Sequence, residues 1–95
     1  MGKRVAVLIK EKERQYEGVR SGLGFLLGQH VVSMFVLNHE LEVPEEFQDN
    51  MSIIDEMGGC RYSNVASNME KYGFQLVMIE QVAHQLKENE VIIPF

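Results

Sequence analysis

The sequence predicts a three-layer α/β/α domain built on a mostly parallel sheet of four to five strands, spanning residues 1–95. Three observations carry this expectation. Short runs rich in Val, Leu and Ile alternate with helical segments along the whole chain. The first two runs, RVAVLIK (Arg4 to Lys10) and HVVSMFVLN (His30 to Asn38), are apolar almost throughout rather than at every second position. That is the pattern of strands covered on both faces, as in a parallel sheet. The helical segments between runs supply the crossovers, which are right-handed and place helices on both faces.

The elements follow in order. After the first strand, the charged EKERQ reads as a loop. YEGVRSGLGFLLGQ then spaces Tyr16, Val19, Leu23, Leu26 and Leu27 by threes and fours, which predicts a helix. Its four glycines each cost up to about 1 kcal/mol relative to Ala, but they allow close approach to the sheet or to another subunit. His30 to Asn38 is the second strand. Pro44, Glu45 and Glu46 suit the first turn of a helix. That helix presents Phe47, Met51, Ile54 and Met57 on one face and stops at Gly58-Gly59. CRYSN is a short third strand, and VASNMEKYG a short helix closing on Gly73. FQLVM (Phe74 to Met78) reads equally as a brief strand or as the lead-in to the helix IEQVAHQLKEN. VIIPF is the last strand, with Phe95 tucked in or near an interface.

Composition narrows the function classes. The formal net charge is −5, and 45% of the residues are apolar, enough for a core in a chain of 95 residues. Lys and Arg are scattered apart from Lys10, Lys12 and Arg14, so no basic face for nucleic acid is expected. No segment reaches the length of a membrane span. The N-terminal apolar run is too short for a signal peptide and lacks a cleavage site. With one cysteine, no disulfide can form within the chain, which suits a reducing compartment. The expectation is a soluble cytoplasmic protein.

Motifs for known chemistry are sparse. GLGFLLG contains a GxGxxxG, but its glycines lie inside a helix that precedes a strand, whereas a dinucleotide fingerprint needs them at the turn after one. They read as packing glycines, and no cofactor is implied. His30, His39 and His84 are not spaced as metal ligands, so no metal is expected. The methionines Met34, Met51 and Met57 read as core filling. One polar group stands out. Lys10, His39, Ser63, Asn64 and Asn68 all fall at the carboxyl edge of the predicted sheet, where open α/β folds bind ligands. A cation, an imidazole and backbone N–H groups there suit an anion or a sulfur species. The plainer reading is helix capping by Ser63 or Ser67 and solvated loops.

The order of these pieces resembles the DsrE/DsrF-like family, the small sulfur-relay proteins that also include the TusB, TusC and TusD subunits. The residues that carry the likeness are VAVLIK, the glycine-bearing GVRSGLGFLLG, HVVSMFVLN, the helix closing on Gly58-Gly59, the EKYGF turn and the final QVAHQLKENEVIIPF. The resemblance spans nearly the whole chain. It implies a flavodoxin-like sandwich assembled as a trimer, hexamer or heteromer, with sulfur-relay proteins as partners. Active members carry a persulfide on a cysteine just after the third strand. With Gly59 and Gly73 matched to the family glycines, that cysteine should fall between Asn64 and Ser67. The chain has Asn64, Val65, Ala66 and Ser67 there, and its one cysteine, Cys60, begins the strand instead.

Cys60 has little to make it reactive. A thiolate is favoured by a helix N-terminus or by nearby cations. Cys60 follows a helix C-terminus, and its neighbour Arg61 points to the other face of the strand. The expectation is a packing cysteine in a non-catalytic family member that binds a partner or ligand through Lys10, His39, Ser63, Asn64 and Asn68. Two alternatives stand beside it: a persulfide carrier using Cys60, and a small anion- or nucleotide-binding module at the same edge.

Overall fold

Parallel pairing organises the chain. The structure, a computed structural model, describes residues 2–95. Its elements are β1 (Arg4–Ile9), α1 (Gln15–Leu27), β2 (Val31–Val36), α2 (Glu45–Glu56), β3 (Cys60–Ser63), α3 (Ala66–Tyr72), β4 (Gln75–Leu76), α4 (Ile79–Leu86) and β5 (Val91–Pro94). They form one five-stranded sheet in the order β4-β3-β2-β1-β5, and every pair is parallel. The steps from β1 to β4 all run the same way across the sheet, so right-handed crossovers put α1, α2 and α3 on one face. The step from β4 back past β1 to β5 reverses direction and puts α4 alone on the other. The predicted three-layer α/β/α sandwich, flavodoxin-like in its layers, is the fold observed.

Alternation along the strands divides the core. Val5, Val7 and Ile9 of β1 and Val32, Met34 and Val36 of β2 face α1 and α2, where they meet Val19, Leu26, Met51 and Ile54. Ala6 of β1, with Phe35 and Leu37, faces α4 and packs with Val77 and Val82. The two central strands are therefore apolar on both sides, as their uninterrupted Val/Ile/Leu runs require.

Two glycines set the distance between α1 and the sheet. A Cβ on Gly18 would stand 2.4 Å from Ile9 Cγ1, and one on Gly22 would stand 2.7 Å from Met34 Cε. The buried face of α1 is Gln15, Gly18, Val19, Gly22 and Leu26. Tyr16 and Leu27, expected on that face, are 37% and 67% exposed. An apolar count misplaces the stripe because the glycines belong to it.

Other boundaries shift for physical reasons. EKERQ includes a 3-10 turn, Lys12–Arg14, that runs directly into α1. Pro44 precedes the first turn of α2 as its N-cap, and its carbonyl accepts from Phe47 N–H at 2.9 Å. Met57 lies in the turn beyond α2, just before the left-handed Gly58 (φ 83°), and is exposed rather than packed. Met34 and Met51 fill the core as expected. FQLVM divides: Phe74 enters the core, Gln75–Leu76 pair with Tyr62 and Ser63, and Val77 and Met78 lead into α4. Phe95 N–H donates to Leu8 O at 2.7 Å, and the Arg14 guanidinium lies over its ring at 5.2 Å. Among the described residues no helix is long and apolar enough to cross a membrane.

Candidate site at the carboxyl edge of the sheet

Four of the five polar residues singled out in the sequence meet at the carboxyl edge. They do so by gripping the chain that links β2 to α2. Asn68, on α3, is fully buried. Its Oδ1 accepts from Leu41 N–H at 2.8 Å, and its Nδ2 donates to His39 O and to Ser63 Oγ, each at 3.0 Å. Ser63, also fully buried, accepts in addition from Val65 N–H at 3.1 Å. Asn64 Oδ1 accepts from Asn38 N–H, and Asn64 Nδ2 donates to Asn38 Oδ1, both at 2.8 Å. Asn38 itself is left-handed at φ 66°, a conformation asparagine tolerates better than most residues.

A third side-chain amide, not anticipated from the sequence, completes the grip. Gln15, 5% exposed at the start of α1, pairs with both backbone groups of Glu42. Its Nε2 donates to Glu42 O at 2.9 Å, and its Oε1 accepts from Glu42 N–H at 3.1 Å. Tyr16 donates to the same carbonyl at 3.1 Å. Backbone groups that would otherwise be stranded over the sheet edge are thus satisfied by Gln15, Asn64 and Asn68.

His39 sits in this linker with Nδ1 3.0 Å from Leu37 O, so that nitrogen carries the proton. Its Nε2 is buried and has no hydrogen-bond partner among the described residues. Lys10 stands apart. Its backbone N–H donates to Phe95 O at 2.9 Å, and its side chain lines a small hollow with Glu11, Arg14, Pro94 and Phe95. The capping expected of Ser67 or Ser63 at α3 takes a different form. The N-cap position is Val65, which makes no side-chain cap bond, and Ser63 receives the N–H of Val65 itself.

Charge around the linker is paired at the surface. Lys12 Nζ lies 2.9 Å from Glu42 Oε1, and Lys71 bonds Glu40. The hydrogen bond to Lys12, then its charge, holds the Glu42 carboxyl below the usual range, and the same bond raises Lys12. Lys71 is raised by its bond to Glu40.

The topology also opens a crevice here. β3 is followed by α3 on one face, and β4 by α4 on the other, so the chain parts between their carboxyl ends. Such switch points are where open α/β sheets bind ligands. A shallow groove of about 460 Å³ occupies this place, lined by Leu76, Val77, Met78 and Ile79 with Asn64, Glu80 and Gln81. Leu76, Met78 and Ile79 are 50%, 65% and 48% exposed, a large apolar surface at one point of a small protein.

Cys60 lies at the opposite end of β3, paired in register with Ser33 and half-buried. Tyr62 lies two residues on, on the same face of the strand. Burial first, then the neighbouring Cys60 side chain, raises the Tyr62 phenol above its ordinary pKa. Arg61 faces the other way. It is 8% exposed, forks onto Asp55 at 2.9 and 2.7 Å, donates to Tyr72 O at 2.6 Å, and covers the Phe74 ring at 4.8 Å. It ties the end of α2 to the end of α3, a role the sequence does not advertise. Among the described residues no group of three or more His, Cys, Asp or Glu side chains is placed to hold a metal ion.

No family model matches the chain, and neither a search of curated proteins nor one of solved structures finds a match.

Proposed function

We propose that this chain is a DsrE-like protein of the sulfur-relay type that does not itself carry sulfur. It acts as a binding subunit in the cytoplasm, using the carboxyl edge of its sheet. The observation that carries the reading is the segment Asn64 to Ser67. It runs from the end of β3 into the first turn of α3 beside the switch-point groove and contains no cysteine. Cys60 is three residues away from the carboxyl end of β3, beside a helix C-terminus, where a thiolate gains no stabilisation.

What the edge offers a partner is chiefly apolar. The amides of Asn64 and Asn68 and the hydroxyl of Ser63 are already engaged within the chain. Leu76, Met78 and Ile79 are free to be covered, and this favours a protein partner over a small anion. The family resemblance adds the expectation of a trimer or hexamer, which a native mass measurement reads directly.

Intact mass after incubation with a cysteine desulfurase and cysteine tests the reading, beside a Cys60→Ser control and a competent carrier in the same tube. The expected result is a loaded carrier and no sulfur on this chain. A reductant-reversible sulfur on the wild type, absent from the Cys60→Ser protein, makes Cys60 a persulfide carrier and overturns it.

A further inference from the structure

The two outer strands of the sheet differ in what they leave open. At β4, Val77 N–H donates to Ser63 O at 2.9 Å, so only Leu76 turns its backbone outward, and Met78 N–H beyond it is taken by Gln81 Oε1 at 2.8 Å. β5 is the longer edge. Phe95 N–H donates to Leu8 O at 2.7 Å, so Ile93 and Phe95 bond inward to β1, and the alternate residues Ile92 and Pro94 turn outward. Pro94 has no N–H. Ile92 is therefore the one residue of β5 that holds out both a donor and an acceptor, and neither has a partner among the described residues.

Apolar side chains flank these free groups. Ile92 is 46% exposed on the α4 face, beside Ala6 in register. Val91 and Ile93 are half-buried on the α1 face. A bare apolar edge is a template for another strand, and native proteins charge it, break it or cover it. Val91 to Ile93 carry no charge, and Pro94 breaks the ladder at one end only. Cover by another strand is what remains.

We propose that β5 pairs with β5 of a second copy of this chain, antiparallel, about a two-fold axis that stands perpendicular to the sheet between the two Ile92 residues. A hydrogen-bonded antiparallel pair takes one N–H and one C=O from each residue. Ile92 holds out one of each, so it is complementary to itself. Every side chain in the central pairing is then β-branched and apolar: Ile92 against Ile92 on the α4 face, and Val91 against Ile93 on the α1 face, repeated by the symmetry. The same register sets Glu90 of one copy opposite Pro94 of the other. Glu90 is exposed, and its Oε1 accepts from Arg4 N–H at 3.3 Å, which keeps the carboxylate at the strand. Lys10 and Arg14, both exposed, line the hollow at Pro94 and Phe95, where Glu11 is the one acid among the lining residues. The two ends of the strand are thus complementary in charge when the copies run antiparallel. The contact uses the opposite edge of the sheet from the Leu76–Met78 groove and does not depend on what that groove binds.

The test is sedimentation of the full chain from about 10 μM to about 1 mM, a range that covers the weak association of a small interface. Expected at the top of the range is a particle with an even number of copies, a dimer or a hexamer, since a two-fold axis belongs to both and to no trimer. Ile92→Lys should halve that particle and leave the urea midpoint near that of the wild type. Glu90→Lys should weaken association by about fivefold, because the symmetry repeats the contact, and Lys10→Glu in the same chain should restore it. Met78→Asp, at the opposite edge, should still pair. A monomer or a trimer at about 1 mM overturns the proposal, as does an Ile92→Lys particle of wild-type mass. Loss of pairing in Met78→Asp moves the contact to the carboxyl edge and overturns it too. A charge swap that restores nothing removes the antiparallel register, and the proposal with it.

Discussion

Replacing Asn68 by Ala should be among the most damaging single changes in the molecule. The side chain is fully buried and serves three groups on two other segments. Its loss strands Leu41 N–H, on a residue that is itself 0% exposed, and an unmet buried donor costs about 1–3 kcal/mol. The bonds to His39 O and Ser63 Oγ add about 0.5–1.5 kcal/mol each. The sum is about 2–6 kcal/mol, against about 5–15 kcal/mol of stability in a typical domain. With a urea slope of about 1–3 kcal/mol per molar, the unfolding midpoint should fall by roughly 0.7–6 M. Asn64→Ala is the control. Its partner Asn38 is exposed, so water replaces the lost bonds and the loss should stay near 1 kcal/mol or below. Equal midpoints for the two variants, or a loss under about 1 kcal/mol for Asn68→Ala, would refute the view that the linker is held from the buried side.

Three further outcomes follow from the same structure. Asp55→Ala should destabilise more than Arg61→Met, because Asp55 is 51% exposed and rehydrates when left alone, while Arg61 is 8% exposed and would be left charged and unpaired; chemical denaturation should give about 3–5 kcal/mol for the first, and the reverse ranking would sink the argument. Gly18→Ala should lower the melting temperature by an amount worth about 1–3 kcal/mol, because its Cβ would enter Ile9 at 2.4 Å, whereas Gly24→Ala meets nothing within 4 Å and should gain up to about 1 kcal/mol of helix propensity. Glu42 should titrate below an ordinary glutamate by carboxyl-carbon NMR, and Lys12→Gln should return it upward; its contribution to folding is present above the unfolded pKa and is lost as pH falls through the lowered folded value. An unchanged Glu42 titration in the Lys12 variant would remove the ion pair as its cause.

The layers were legible because β1 and β2 announce double-sided burial in their own composition, and because glycine stops mark where helices end. Gly73, left-handed at φ 73°, closes α3 where the sequence puts it. What escaped reading shares one property: it depends on partners far along the chain. Gln15 and Glu42, or Asn68 and Leu41, are 27 residues apart, and nothing local distinguishes such an amide from a solvated one. Arg61 looks like a surface charge until Asp55, Tyr72 and Phe74 are folded around it. The strand Gln75–Leu76 is too short to show a period, and it exists because β3 offers it an edge. The carboxyl-edge residues were found by position, which the fold fixes; their bonding was not, because a side chain that could receive a ligand and one that holds a loop read alike.

That distinction decides what the carboxyl edge can recognise. An anion arriving there needs free donors, and the side-chain amides of Asn64 and Asn68 are already engaged within the chain. Drawing Asn68 Nδ2 toward a ligand would uncouple His39 O and Ser63 Oγ, and drawing Asn64 Nδ2 would uncouple Asn38. Each such exchange returns no more than a new bond in place of an old one, so it supplies little net affinity. α3 adds little of its own, since its 7 residues are under two turns and Val65 makes no side-chain cap bond. The apolar surface has no such competitor. Covering Leu76, Met78 and Ile79 removes about 25 cal/mol of unfavourable hydration per Å² without breaking any bond within the chain. Recognition at the switch point should therefore be driven by apolar contact. The amides should serve to hold its wall in place, and mutation of Met78 to Asp should abolish partner binding while leaving the urea midpoint near that of the wild type.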